Sequence, residues 1–457
     1  MELSPLLLAR IQFAVNLTFH ILFPAINIAL AWILLFFKLR WRATGDTAWL
    51  DAYRFWIRVF ALSFALGVVS GLTMSFQFGT TFPGFMEKAG NVVGPLMGYE
   101  VMTAFFLEAG FLGIMLFGRG RVSERIHTLA MCLVAFGVTL SAFWILAANS
   151  WMQTPAGADL IDGKFYPTDW MKIVFNESLP LRFAHMVLAS VVTAAFVVLG
   201  VSAWQALQRP LRPGERKAFV VGLVLAASVI PVQMLVGDTA GRLAAKTQPA
   251  KIAAIEGLWE TQRGAGTVLI GWPDEATRSN KWAITLPYGA SLLITHSLDG
   301  EVLGLNEFPN AHPPVAPVFF AFRIMAGVGV LMMLASWGGL WLLRARKWNP
   351  DALPRWSLRL LAGMTFSGWV ATVAGWYTAE IGRQPWVVYG LVRSSEVVAD
   401  EPAAAFALSL TGFLLLYAFL LLSYVGTLIY QANKGIATTL PQAPATGSGL
   451  AQGDHHG

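Results

Sequence analysis

Nine apolar stretches, most longer than the roughly 18 residues that cross a bilayer, limit the folds open to this chain. Hydropathy places them at about 10–38, 53–80, 94–118, 124–150, 181–207, 217–238, 315–343, 356–380 and 404–430. In lipid, each backbone N–H and C=O must be satisfied within its own segment or in a closed barrel, and runs of this length are helices. The expected fold is therefore all-α, a polytopic bundle of about nine transmembrane helices. Composition agrees: 56% of the 457 residues are hydrophobic and 13% are charged. Soluble domains carry about twice that charged fraction.

The net charge of +6 would suit a nucleic-acid partner if it were clustered on one surface, but it follows the loops. Lys38, Arg40, Arg42 and Arg54 flank the first connection, and Arg119, Arg121 and Arg125 lie in the third. Arg209, Arg212, Arg216 and Lys217 mark the fifth, and Arg344, Arg346, Lys347 and Arg355 the seventh. The short alternate loops hold little, Lys88 in one and Arg383 and Arg393 in another. By the positive-inside rule the basic loops are cytoplasmic, which puts the N-terminus outside and the C-terminus inside. The charge is then a topology signal, and no nucleic-acid partner is needed.

Cys132 is the single cysteine, so neither an intrachain disulfide nor a thiolate-bound iron–sulfur cluster is available. "MELSPLLLARIQF" lacks a basic n-region and a small-residue cleavage site, and the first helix is read as retained. Two outer segments are long, 151–180 and 239–314, the second with "GWPD", "LPYG" and "AHPP" as turn signals. Its mixture of Trp, Leu and Ile with charge is expected to form an ordered, membrane-resting structure. The tail, residues 436–457 and including His455 and His456, reads as disordered. There is no repeat to support an inverted-repeat transporter.

Ionisable groups inside membrane spans are rare and usually functional. His20 lies in the outer part of span one, and Glu100 near the outer start of span three. Glu108 follows eight residues, about two turns, deeper. His185 begins span five, Arg323 and Met325 lie in the outer part of span seven, and Glu380 ends span eight. His, Glu, His, Met and Glu from five spans thus fall in one leaflet. Haem iron takes His, Met, Cys or Tyr as axial ligands, and facing helices commonly hold such cofactors. Taken singly, each residue has a plainer role. A membrane His more often bonds a neighbouring helix, a Met usually packs, and Glu100 could complement a helix dipole. Glu108 is harder to dismiss, because an unpaired buried carboxylate is costly. His127, just after "SER" at the start of span four, reads as a surface histidine near a cap. His296 and His312 are assigned no role.

The motifs around these residues are specific. They are "RIQFAVNLTFHILFP", "GYEVMTAFFLEAGFLG", "SAFWILAANSWMQTP", "FAHM", "KIAAIEGLWET", "FRIM" and "GWYTAEIGRQPW", in that order. From about residue 1 to 430 the chain resembles subunit I of the cytochrome bd-type quinol oxidases, in particular the short-loop, cyanide-insensitive branch. The resemblance implies three haems near the outer face. His185 and Met325 would ligate the iron of haem b558. His20 would ligate one high-spin haem, with Glu100 near or on the same iron. Glu380 would ligate the other, with Trp376 one turn before it on the same face. Haem b595 and haem d, or a third haem b, would occupy these two sites, and the assignment between them is left open. Glu108 and Ser141 match a proton route from the cytoplasm. Lys251 and Glu256 match the quinol-binding region, and Arg323 and Arg383 are placed to pair with propionates.

The resemblance further implies a bacterial inner-membrane enzyme that oxidises quinol on the outer side and reduces dioxygen to water, building proton motive force without pumping. Its partners would be subunit II and small single-span subunits. Two rival readings are an ion-coupled transporter using Glu108 and Glu380, and a b-type haem anchor that only relays electrons. The transporter would place its site at the bilayer midplane, and the anchor would need paired His ligands.

Overall fold

The computed structural model describes residues 4–435, so the tail expected at 436–457 lies outside the described residues. The chain is a helical membrane bundle, as hydropathy requires. α1 (Pro5–Leu22) and α2 (Pro24–Thr44) form one kinked span. Proline causes the kink: Pro24 has no N–H to return to the His20 carbonyl, which instead accepts from Phe23 N at 3.2 Å. The break therefore falls one turn from His20.

α3 (Thr47–Thr80) follows, then a third span composed of α4 (Pro83–Tyr99), a π-helical turn at Glu100–Phe105 and α5 (Phe106–Phe117). α6 (Glu124–Gln153) leads into a β-hairpin, β1 (Ala158–Ile161) with β2 (Lys164–Pro167), and the short α7 (Trp170–Val174). α8 (Leu179–Gln208) and α9 (Pro213–Thr247) pack along each other. The stretch between α9 and α12 (Val315–Ala345) is ordered. It holds α10 (Pro249–Glu256), β3 (Gln262–Arg263) paired with β6 (Glu301–Val302), a hairpin of β4 (Thr267–Asp274) and β5 (Ser279–Leu286), and α11 (Gly289–Thr295). After α12 come α13 (Arg355–Gly363), α14 (Ser367–Ile381), a last hairpin, β7 (Trp386–Val388) with β8 (Val392–Arg393), and α15 (Ala403–Lys434).

Among the described residues, eight helical segments are long and apolar enough to cross a membrane. The ninth expected span, 356–380, is split into α13 and α14 with a break at 364–366. The break sits where α8 comes closest. A Cβ on Gly200 would lie 2.7 Å from Thr365 Cα, and one on Gly368 would lie 2.5 Å from Thr193 Cα. Small residues let membrane helices approach this closely. The outer loop also starts later than its expected bound of 239, because α9 continues to Thr247.

The principal core runs through α1, α2, α3, α6, α8 and α15, and includes Phe23, Phe37, Trp56, Phe60 and Tyr424. The basic connections meet at one end of the bundle. Lys217 pairs with Asp46 at 3.2 Å, Arg216 with Asp351 at 2.5 Å, and Lys38, fully buried, with Glu124. At the other end Lys246 pairs with Glu177 at 2.7 Å and Lys88 with Glu396 at 2.9 Å.

Candidate functional site

One apolar cluster joins α1, α8 and α14, which carry His20, His185 and Glu380, to α6. Ile21 and Ala25 (α1–α2), Leu146 and Ala147 (α6), and Leu179 and Met186 (α8) are buried together, with Phe143, Phe183, Val373 and Trp376 packed against them. Ile21 follows His20, Met186 follows His185, and Trp376 stands one turn before Glu380. Thr18 and Tyr377 bind each other through their hydroxyls at 2.7 Å, which joins α1 to α14.

Three glycines face the donor side chains from neighbouring helices. A Cβ on Gly71 would stand 3.1 Å from His20 Cε1, and one on Gly237 3.1 Å from His185 Cε1. A Cβ on Gly375 would stand 2.9 Å from Met325 Sδ. His20 Nδ1 pairs with Ser70 Oγ at 3.1 Å. Gln233 Nε2 lies 3.3 Å from His185 Nε2, and His185 Nδ1 is buried without a partner.

Glu380 lies in a net of donors. Its Oε2 accepts from Arg383 Nη2 at 2.6 Å. Its Oε1 accepts from Asn149 Nδ2 at 3.1 Å and Gln153 Nε2 at 3.0 Å, with Arg182 Nη2 at 3.7 Å. Arg182 also donates to Asn149 Oδ1. Sequence reasoning passed over Arg182, Asn149 and Gln153, although all three stand in or beside quoted motifs. An arginine three residues before His185 in an apolar span was the available signal.

Glu100 and Glu108 are separated by the π-helical turn. Eight α-helical steps would leave them roughly 80° apart around the axis, and the extra residue of a π turn takes up roughly one 100° step. Both carboxylates therefore face α6. Ser141 Oγ donates to Glu100 Oε1 at 2.7 Å, and a Cβ on Gly137, one turn away, would meet Glu108 Cγ at 2.8 Å. Glu108 is buried, with Oε1 unpartnered.

Lys251 and Glu256 sit on α10, both buried. Burial, reinforced by Arg182 and Arg383 and opposed by Glu380, holds the Lys251 ammonium well below its ordinary pKa. Burial raises the Glu256 carboxyl above the usual range, and Arg323 opposes that shift. Arg323 donates to main-chain carbonyls, through Nη1 to Ile255 at 2.7 Å and Phe319 at 2.9 Å, and through Nε to Val268 at 2.9 Å. It thereby ties α12 to α10 and β4. Arg383 is different, because its Nε and Nη1 are buried and unpartnered.

One expectation is corrected. His127 does not sit on the surface but is fully buried, its Nε2 3.2 Å from the Met115 carbonyl and its ring against Tyr53. The turn between α5 and α6 folds it inward. His296 remains exposed beside Asp238 at 3.3 Å, and His312 Nδ1 lies 3.0 Å from the Pro313 carbonyl.

Among the described residues no three His, Cys, Asp or Glu side chains gather as a bare-ion site. Imidazole, thioether and carboxylate donors stand singly on different helices. Such donors fit a cofactor that brings its own equatorial ligands, and Arg383's free donors fit that cofactor's carboxylates. The fold defines a polytopic, membrane-embedded helical protein.

Residues 8–436 match the model of the cytochrome bd terminal oxidase subunit I family, and the chain belongs to that family. It is 34% identical over 445 residues to cytochrome bd ubiquinol oxidase subunit 1 of Bacillus subtilis, covering 95% of this chain and 94% of that one. It is 31% identical to cytochrome bd-II ubiquinol oxidase subunit 1 of Escherichia coli, covering 97% and 99%. The bd oxidase structure from Geobacillus thermodenitrificans superposes with a TM-score of 0.87 at 32% identity, covering 94% of this chain and 99% of that one. The family implies haem cofactors, a second subunit and a multi-pass place in the bacterial inner membrane.

Proposed function

We propose that the chain is the haem-bearing catalytic subunit of a terminal oxidase that takes electrons from membrane quinol and reduces dioxygen to water. What supports this reading is that donors of haem-ligand type stand singly on separate packed helices, His20 beside Gly71, His185 beside Gly237, Met325 beside Gly375, and Glu380 among Arg383, Asn149 and Gln153. His185 and Met325 would hold haem b558. His20, with Glu100, and Glu380 would hold the two high-spin haems, b595 and d or a third haem b. When bound, these haems supply one-electron transfer and an iron position open to dioxygen.

The protein's own groups do the rest. Quinol would bind on the outer side against α10 and the loop that follows. Glu256 accepts the quinol proton, which suits a carboxylate whose proton affinity burial has raised. Lys251 offers the donor that orients a quinol oxygen. Arg383's unpartnered nitrogens receive a propionate. Glu108, Glu100 and Ser141, on the facing sides of the third span and α6, hold and pass protons drawn from the cytoplasm. Protons are released on one face and consumed from the other, so charge separates without a pump. With the basic loops inside, the N-terminus is outside and the C-terminus cytoplasmic. Subunit II, and small single-span subunits with it, would cover the exposed apolar faces.

The test is oxygen consumption driven by quinol in the complex purified with its second subunit. Glu108→Gln is expected to slow turnover about 10- to 100-fold while all haems remain. Unchanged turnover would remove the proton role, and no quinol-dependent consumption in the wild type would remove the oxidase reading.

A further inference from the structure

Gln153 ends α6 at 2% exposure, and the proposed reaction leaves it without a task. Its amide joins two sites. Nε2 donates to Glu380 Oε1 at 3.0 Å and reaches the Ala379 carbonyl at 3.3 Å, both on α14. Oε1 accepts from Lys251 Nζ at 2.8 Å, on α10, and from Gln248 Nε2 at 3.0 Å. Gln248 Nε2 also reaches the Gln153 main-chain oxygen at 2.6 Å.

The amide cannot be turned around. The Glu380 carboxylate only accepts, so the amide nitrogen faces Glu380 and the oxygen is left to face Lys251 Nζ, which donates to it. Few other side chains offer a donor and an acceptor on one rigid group at this reach. The contact is also tight from behind: a Cβ on Gly382, just after α14, would come within 2.9 Å of Lys251 Cγ. Lys251 is thus confined between α14 and the end of α6, and its outlet is through Gln153.

We propose that Gln153 is a positioning residue that couples the loop helix α10 to the Glu380 carboxylate. A quinol oxygen that draws Lys251 Nζ toward itself weakens the bond from Nζ to Gln153 Oε1. The amide oxygen is then left with Gln248 as its donor, and the amide's hold on Glu380 is loosened. Arg383 at 2.6 Å and Asn149 at 3.1 Å continue to hold the carboxylate. The effect is a shift in its position, not its release. The identity of the ligand rests on the function proposed above, whereas the link itself does not.

Hydrogen–deuterium exchange on the complex purified with its second subunit tests the link in segments 249–258 and 376–385. Gln153→Leu is expected to lower protection about three- to tenfold in both, the range one net hydrogen bond is worth. Gln153→Glu keeps an acceptor for Lys251 but sets a second carboxylate beside Glu380. It is expected to loosen 376–385 alone, and it decides the matter if the leucine variant fails to assemble. Adding a short-tailed quinol to the wild type is expected to loosen 376–385, and to have no such effect in Gln153→Leu.

Loosening of one segment only, or of neither, in Gln153→Leu would overturn the coupling. So would an unchanged or doubly loosened Gln153→Glu, or a quinol response that survives in Gln153→Leu. The haem reading fails separately. If the link behaves as expected but Glu380→Gln leaves every haem band unchanged, Gln153 couples α10 to a carboxylate that holds no haem.

Discussion

Lys251 and Glu256 lie on one eight-residue helix, and burial shifts their pKa values in opposite directions. The raised carboxyl gives a prediction with a definite sign. Folded Glu256 holds its proton more tightly than the unfolded chain does, so its stabilising contribution is present at low pH. That contribution is lost as pH rises from the ordinary carboxylate value through the folded one. Glu256→Gln should therefore raise the Tm progressively as pH increases through that window, with little effect below it. Thermal unfolding of the detergent-solubilised complex across pH measures this, and a pH-independent difference would mean that Glu256 is not the titrating group. The sequence made these residues legible by motif, but not the partners that set their chemistry. Nothing in "KIAAIEGLWET" says that Lys251 reaches back to the end of α6, because that contact joins residues 98 positions apart. His127 was misjudged for the same kind of reason. A histidine after a helix start is usually solvated, and only the turn bringing Met115 beneath it buries the ring.

At the scale of elements, hydropathy located the spans because lipid sets their length and content. It missed what hydropathy does not encode. The π turn at Glu100–Phe105 inserts one residue into the third span without changing its hydropathy. The last ten residues of α9, "DTAGRLAAKT", are helical but too polar to read as a span, and an Asp238–Arg242 pair at 3.4 Å supports them. The break at 364–366 carries no proline; its cause is the approach of α8. Gly200→Ala is predicted to overpack that contact and to destabilise the protein by about 1–3 kcal/mol. Thermal shift of the purified complex reads this out, and a wild-type Tm would mean that α13 and α14 move apart freely.

At the scale of the whole molecule, the alternation of basic and sparse loops corresponds to two ends of one bundle. Lys217–Asp46, Arg216–Asp351 and Lys38–Glu124 join the basic connections. Reporter fusions after residue 435 and in the loop after Lys38 are expected to behave as cytoplasmic, and one in the 275–279 turn as external. The reverse pattern would invert the direction of proton uptake. The bundle was legible because membrane topology is written in composition. The expectation that donors from five spans share one leaflet came from reading residue type and depth together. The aromatic and glycine surfaces that fix the distances between those spans were not, since any apolar residue satisfies the same hydropathy.

The central claim is that His20, His185, Met325 and Glu380 each hold iron in this bundle. Reduced-minus-oxidised optical spectra of the purified complex test it most directly, with wild type compared to His20→Ala, His185→Ala, Met325→Leu and Glu380→Ala. The account predicts that the low-spin band disappears in both His185→Ala and Met325→Leu, while His20→Ala and Glu380→Ala each remove a different high-spin signal. Persistence of the low-spin band in His185→Ala and Met325→Leu, with high-spin signals indifferent to His20 and Glu380, would contradict it.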